Sequence, residues 1–131
     1  MVSVMTLKVK QSSENMNAQE ISNALYGMQR MPDQPETRDL LAALTPKILS
    51  CSQKMTAQAI GNSCFGLQRC GNSEELLQVL SALVPKLQSC TIMDAHSIGN
   101  TLFGLQRVSD APEVRKFFKA LTDKVCTERN L

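Results

Sequence analysis

Met16-Asn-Ala-Gln-Glu-Ile-Ser-Asn-Ala-Leu-Tyr-Gly-Met-Gln-Arg30 returns as Met55-Thr-Ala-Gln-Ala-Ile-Gly-Asn-Ser-Cys-Phe-Gly-Leu-Gln-Arg69, and again as Met93-Asp-Ala-His-Ser-Ile-Gly-Asn-Thr-Leu-Phe-Gly-Leu-Gln-Arg107. The three starts lie 39 and then 38 residues apart, a spacing that marks stacked supersecondary units. The stretch C-terminal to each copy repeats more loosely, as Leu44-Thr-Pro-Lys47, Leu83-Val-Pro-Lys86 and Leu121-Thr-Asp-Lys124. The same register, carried backwards, reaches Met5-Thr-Leu-Lys8. The chain therefore divides into an N-terminal half-repeat or capping helix over 1–15 and three repeats over 16–54, 55–92 and 93–131.

Each repeat reads as two helices. Asn17, Thr56 and Asp94 are good N-caps for helix A, since a side-chain oxygen there accepts from an otherwise orphaned amide. Behind them, Ala18, Ile21, Leu25 and Met28 fall at helical spacing, and the stripe recurs in the other two copies. Helix B opens on Asp33-x-x-Glu36, Asn72-x-x-Glu75 and Asp110-x-x-Glu113, the pattern of a capping box, with Pro35 and Pro112 in the first turn. Its apolar stripe is Leu40, Leu41, Leu44 and Ile48, matched in each later unit; Pro46 and Pro85 lie inside it. These signals predict a short helix within 3–13, A helices over 17–30, 56–69 and 94–107, and B helices over 34–51, 73–90 and 111–128. A helix pair this small cannot bury its stripes alone, so neighbours must stack. The expectation is an all-α fold, a short right-handed α-solenoid. Gly27, Gly66 and Gly104, placed where alanine favours a helix more, point to close backbone approach between A helices of adjacent units.

Composition narrows the function. The net charge of +2 is far from that of a protein that holds polyanions through bulk charge, so any nucleic-acid contact must be local. No apolar run is long enough for a membrane span. Five cysteines without a Cys-x-x-Cys pair argue for thiols in a reducing, intracellular compartment rather than a disulfide framework. With His96 the single histidine, neither a Cys/His metal site nor a nucleophile pair has matching spacing, and no phosphate-loop or hydrolase motif is present. The sequence gives no ground for an enzyme, a cofactor or a metal.

A polar ridge recurs on helix A instead. Gln19, Asn23, Tyr26 and Arg30 lie close together around the helix, apart from the apolar stripe. The equivalents are Gln58, Asn62, Phe65, Arg69 and His96, Asn100, Phe103, Arg107. Each has a structural and a binding interpretation. The asparagines either form a buried ladder or face a ligand; the arginines either complement the helix C-terminus or bind phosphate; the aromatics either pack between helices or stack on bases. Gln29, Gln68 and Gln106 fit either role, and Lys47, Lys86 and Lys124 form a second row that a solvated face explains equally well.

The runs 23–29, 62–68 and 100–106, Asn-x-x-aromatic-Gly-apolar-Gln with a period of 38 or 39, resemble octotricopeptide repeats, although Gln stands at 29, 68 and 106 where that family more usually has a small residue. The resemblance covers 16–131. It implies an RNA-binding solenoid, often of organelle transcripts in mitochondrion or plastid, and sometimes of bacteria that enter eukaryotic hosts, acting in their own cytoplasm or secreted. It places single-stranded RNA against Gln19, Asn23, Arg30, Gln58, Asn62, Arg69, His96, Asn100 and Arg107, with Glu20, Ala59, Ser97 and Ser22, Gly61, Gly99 as neighbours that vary between units. The competing expectation is a protein-interaction scaffold that holds a peptide or partner subunit in its groove. Three units contact about three nucleotides, which suits part of a larger array, an oligomer or a ribonucleoprotein.

Overall fold

A computed structural model describes residues 7, 9, 15–90 and 92–129 of the chain, with the side chains of 127–129 excepted. Over residues 15–129, leaving 91 aside, six helices succeed one another: α1 (Ala18–Tyr26), α2 (Pro35–Ser50), α3 (Ala57–Phe65), α4 (Glu74–Ser89), α5 (Ala95–Gly104) and α6 (Pro112–Arg129). No strand occurs among the described residues. Leu7 and Val9 are helical, and the rest of the helix expected within 3–13 lies outside the described residues.

The fold is all-helical and repeat-like. Its main contacts join corresponding helices of successive repeats: α1 to α3 to α5 in one row, α2 to α4 to α6 in the other. The apolar stripes meet in one continuous core, with Ile21, Leu25, Leu41, Ile48, Ile60, Leu76, Leu80 and Phe117 fully buried. Burying each such side chain favours folding by roughly 1.5–3 kcal/mol, and the charged, exposed faces contribute little.

The caps of the first row form as expected. Asn17 Oδ1 accepts from the Glu20 amide at 2.8 Å, Thr56 from Ala59 and Asp94 from Ser97. Hydrogen bonding from Ser97 also holds the Asp94 carboxyl below its ordinary pKa. The capping box lies elsewhere than the sequence pattern placed it. Glu20 Oε1 accepts from the Asn17 amide and completes a box on α1, whereas α2 has Gln34 at its N-cap without a side-chain hydrogen bond and α4 is capped by Ser73. Asp33 and Asp110 instead bind Arg38 and Arg115 at 2.8 Å, and Asn72 accepts from the Ser109 amide of the next repeat. The N-caps Gln34 and Ser73 lie one residue past Asp33 and Asn72, so Glu36 and Glu75 stand at the second helical position, not at the third that a box requires.

The A helices are also shorter than expected. Their α-helical part stops at Tyr26, Phe65 and Gly104, and the chain tightens into turns, as where Met28 N donates to Leu25 O and Leu67 N to Cys64 O. Glycine at this point is explained by the neighbouring helix. A Cβ on Gly66 would lie 1.7 Å from the Leu25 carbonyl oxygen, and one on Gly104 would lie 1.8 Å from that of Cys64. Adjacent A helices therefore meet backbone to backbone at Gly66 and Gly104, at the helix ends rather than mid-helix, whereas Gly27 is exposed and a Cβ there would meet only the Asn23 and Ala24 carbonyls of its own helix.

Candidate functional site

The nine polar members of the ridge all reach the surface. Gln19, Asn23, Arg30, Gln58, Arg69, His96 and Arg107 are exposed, and Asn62 and Asn100 are half-buried. A buried asparagine ladder is thereby excluded. The packing of α1, α3 and α5 in one row sets equivalent side chains beside one another. Gln19, Asn23, Gln58 and Asn62 line a groove of about 440 Å³ between α1 and α3, to which the loop before α3 adds Gln53 and Lys54. Gln29, Arg30, Gln68 and Arg69 line a second depression of about 300 Å³. Within the third repeat, His96 Nε2 and Asn100 Nδ2 stand 3.3 Å apart, so the amide fixes one edge of the ring.

The aromatic members form a ladder. Tyr26 and Phe65 stack with centroids 5.7 Å apart, and Phe65 and Phe103 at 5.3 Å, with interplanar angles of 22° and 21°. Ring faces matched in this way leave no room for a base between them. These side chains are a spine along the ridge, and only their edges and the two terminal faces remain available.

The arginines stand beyond the helical segments, in the turns after them, rather than in a last helical turn. The tightening of the backbone at each glycine carries them out of the helix and weakens their part in any helix dipole. Among the described residues Arg30, Arg69 and Arg107 make no ion pair, whereas Arg38 and Arg115 are each bound to an aspartate. Three cations thus stand in register, free to meet an external anion.

The second basic row belongs to the scaffold. Lys86 Nζ donates to the carbonyls of Cys51 and Gln53 at 2.6 and 2.7 Å, and Lys124 Nζ donates to that of Cys90. Each lysine closes the end of the preceding B helix, where unsatisfied carbonyls and the helix dipole favour a cation. Lys47 is engaged as well. The varying neighbours divide: Ser22, Gly61 and Ser97 are buried in the seams between A helices, where Gly61 faces the Ser97 backbone, whereas Glu20 and Gly99 are exposed and Ala59 is half-buried. Sequence periodicity gives the angle around one helix but not which angle the next helix covers.

Burial pushes the Cys64 thiol up to about 12 and the Cys70 thiol up to about 11, which keeps both protonated and unreactive. None of the five cysteines forms a disulfide. Among the described residues no cluster of His, Cys, Asp and Glu has the geometry of a metal site, and no helix is long and apolar enough to cross a membrane. The sequence did not single out Gln53 and Lys54, which have no in-register repeat to mark them, and the glutamines at 29 and 68 were visible as a repeat without a role. Comparisons with known protein families, with characterised proteins and with solved structures find no match for this chain.

Proposed function

We propose that this chain is a non-enzymatic binding module, a short right-handed α-solenoid that holds single-stranded RNA along its row of A helices. The observation that carries the proposal is the set of three arginines in register, without ion-pair partners among the described residues, beside a strip of amides and one imidazole. Arg30, Arg69 and Arg107 bind phosphates. Gln19, Gln58 and His96, with Asn23, Asn62 and Asn100, meet base edges, because amides pair with the donor and acceptor pattern of an unstacked base. The aromatic ladder keeps the spacing of the strip rigid. The likeness to octotricopeptide repeats supports the same assignment and an intracellular, organellar setting within a larger ribonucleoprotein.

The experiment is binding of randomised single-stranded RNA at several salt concentrations. Three phosphate contacts give a slope of log affinity against log salt of about −2, from roughly −0.7 per phosphate on a single strand. Replacing all three arginines with glutamine removes most of that slope and leaves helicity intact. Changes at Gln19, Gln58 or His96 alter base preference instead. A wild-type chain that binds no RNA at low salt refutes the proposal. The alternative is then a peptide scaffold, for which the groove between α1 and α3 speaks: apart from Lys54 its lining is uncharged and rich in amides that suit an extended backbone.

A further inference from the structure

Residues that break the repeat gather in one place. Ser22 stands where the next two repeats have Gly61 and Gly99, and Lys54, in the loop before α3, stands where the loop before α5 has Ile92. Both Ser22 and Lys54 line the groove of about 440 Å³ between α1 and α3. In the following seam the backbones close up, so that a Cβ on Gly61 would lie 3.1 Å from the Ser97 carbonyl oxygen. Ser22 brings a Cβ and a hydroxyl to the equivalent place, and the first seam cannot close to the same distance. The Ser22 side chain is only 5% exposed, yet its hydroxyl has no hydrogen-bond partner among the described residues. Ser63 and Thr101, buried on α3 and α5, instead donate to the Ala59 and Ser97 carbonyls at 2.7 and 2.8 Å. Among the described residues no side-chain polar atom sealed from solvent lacks a partner, so the Ser22 oxygen opens to the groove. A hydroxyl placed in this way is a polar contact for what enters.

One end of the groove suits an anion. Gln53 Oε1 accepts from the Ala18 amide at 2.9 Å and the Gln53 carbonyl accepts from Lys86 Nζ, which pins the loop that carries Lys54. Lys54 makes no ion pair among the described residues. It precedes α3, whose first turn has no acidic residue, so its charge adds to the positive end of the helix dipole. No carboxylate lines the groove, and its walls carry the amides of Gln19 and Asn23 from α1 and of Gln58 and Asn62 from α3. The volume falls in the range of small-molecule sites and far exceeds what a bare phosphate fills. We propose that this groove is a site for a single nucleotide, with its phosphate at Lys54 and the start of α3 and its base and sugar among the amides and the Ser22 hydroxyl. The proposal rests on the reading of the A-helix strip as a nucleotide surface and adds to it a pocket that the next seam, closed at Gly61 and without a cation at Ile92, does not repeat. A free mononucleotide and one link of an RNA chain share this chemistry.

Calorimetric titration of the full chain with the nucleoside 5′-monophosphates of the common bases, and with inorganic phosphate, tests this. At least one mononucleotide should saturate a single site, and inorganic phosphate should bind at least about tenfold more weakly. Ser22→Ala removes the hydroxyl but keeps the Cβ, and should weaken the mononucleotide about threefold to tenfold. Lys54→Met should weaken it about tenfold or more, whereas Lys116→Met, the same loss of charge on an exposed face of α6, should leave it unchanged. All three substitutions should keep the helicity of the wild type by circular dichroism. An RNA oligonucleotide that displaces the mononucleotide identifies the occupant as a link of the chain, and simultaneous binding identifies it as free; either outcome supports the site. A wild-type chain that binds no mononucleotide overturns the proposal, and if it still binds RNA through the arginines the reading of the strip stands alone. The proposal also fails if either Ser22→Ala or Lys54→Met leaves the affinity unchanged, if inorganic phosphate binds as tightly as the nucleotides, or if randomised peptides fill the groove in their place. Mononucleotide binding by a chain that binds no RNA refutes the strip and keeps the groove.

Discussion

Alanine at Gly66 and at Gly99 should change stability in opposite directions, although both glycines belong to the same row of helices. At Gly66 the added Cβ would sit 1.7 Å from the Leu25 carbonyl oxygen and 2.4 Å from its carbon. Both are backbone atoms and cannot swing aside, so α1 and α3 must part along their whole seam. Overpacking of a tight contact costs about 1–3 kcal/mol, or more where backbone must move. In a domain of this size each kcal/mol corresponds to about 4 °C, so the melting temperature should fall by roughly 4–12 °C. Gly99 has open space around its Cβ position within the helical part of α5. There alanine gains helix propensity, about 0.5–1 kcal/mol, and the midpoint should rise by a few degrees. The pair is read by thermal and urea unfolding, with helicity monitored by far-ultraviolet circular dichroism. If Gly66→Ala melts with the wild type, or if both variants shift the same way, the glycines answer to local backbone preference and the close approach of A helices is not what requires them.

Lys86→Met should lose about 1–3 kcal/mol, because it removes the ammonium donor from the Cys51 and Gln53 carbonyls, while Lys116→Met on an exposed face changes stability by no more than about 0.5 kcal/mol in urea unfolding. Stability should decline as pH rises above about 9: unfolded thiols ionise from their ordinary value of 9.0 while Cys70 and Cys64 stay protonated up to about 11 and about 12, so the folded state binds more protons in that window. Urea midpoints on either side of the ordinary thiol pKa, compared with those of Cys64→Ala, check the sign, and the alanine variant should depend on pH less steeply. Melts with and without reductant and chelator should superimpose, since the packed stripes hold the fold; a large loss on either treatment contradicts that account.

Much of the fold was legible because its information is local. Repeated copies of one motif, the Asn17, Thr56 and Asp94 caps and the helical apolar stripe each act within one helix, and they set the number of units and nearly all helix boundaries of the second row. The A helices ended earlier than their pattern suggested, at Tyr26, Phe65 and Gly104, and at Gly66 and Gly104 the neighbour's backbone at Leu25 and Cys64 leaves no room for a Cβ. The surface row of Gln, Asn and Arg was likewise readable as a ridge, since periodicity alone separates it from Ile21, Leu25 and Met28.

Which polar groups remain available was decided in three dimensions. Sequence treats Lys86 and Arg69 alike, as cations repeated in register, yet one is consumed by carbonyls 33 and 35 residues away and the other meets no partner among the described residues. Ser97 and His96 are adjacent in sequence, but one is buried against α3 and the other faces solvent. The sequence by itself determined the repeat, the helices and the faces they present. Only packing decided which face each neighbour covers, because hydrogen bonds and burial depend on atoms that meet through stacking one repeat on the next.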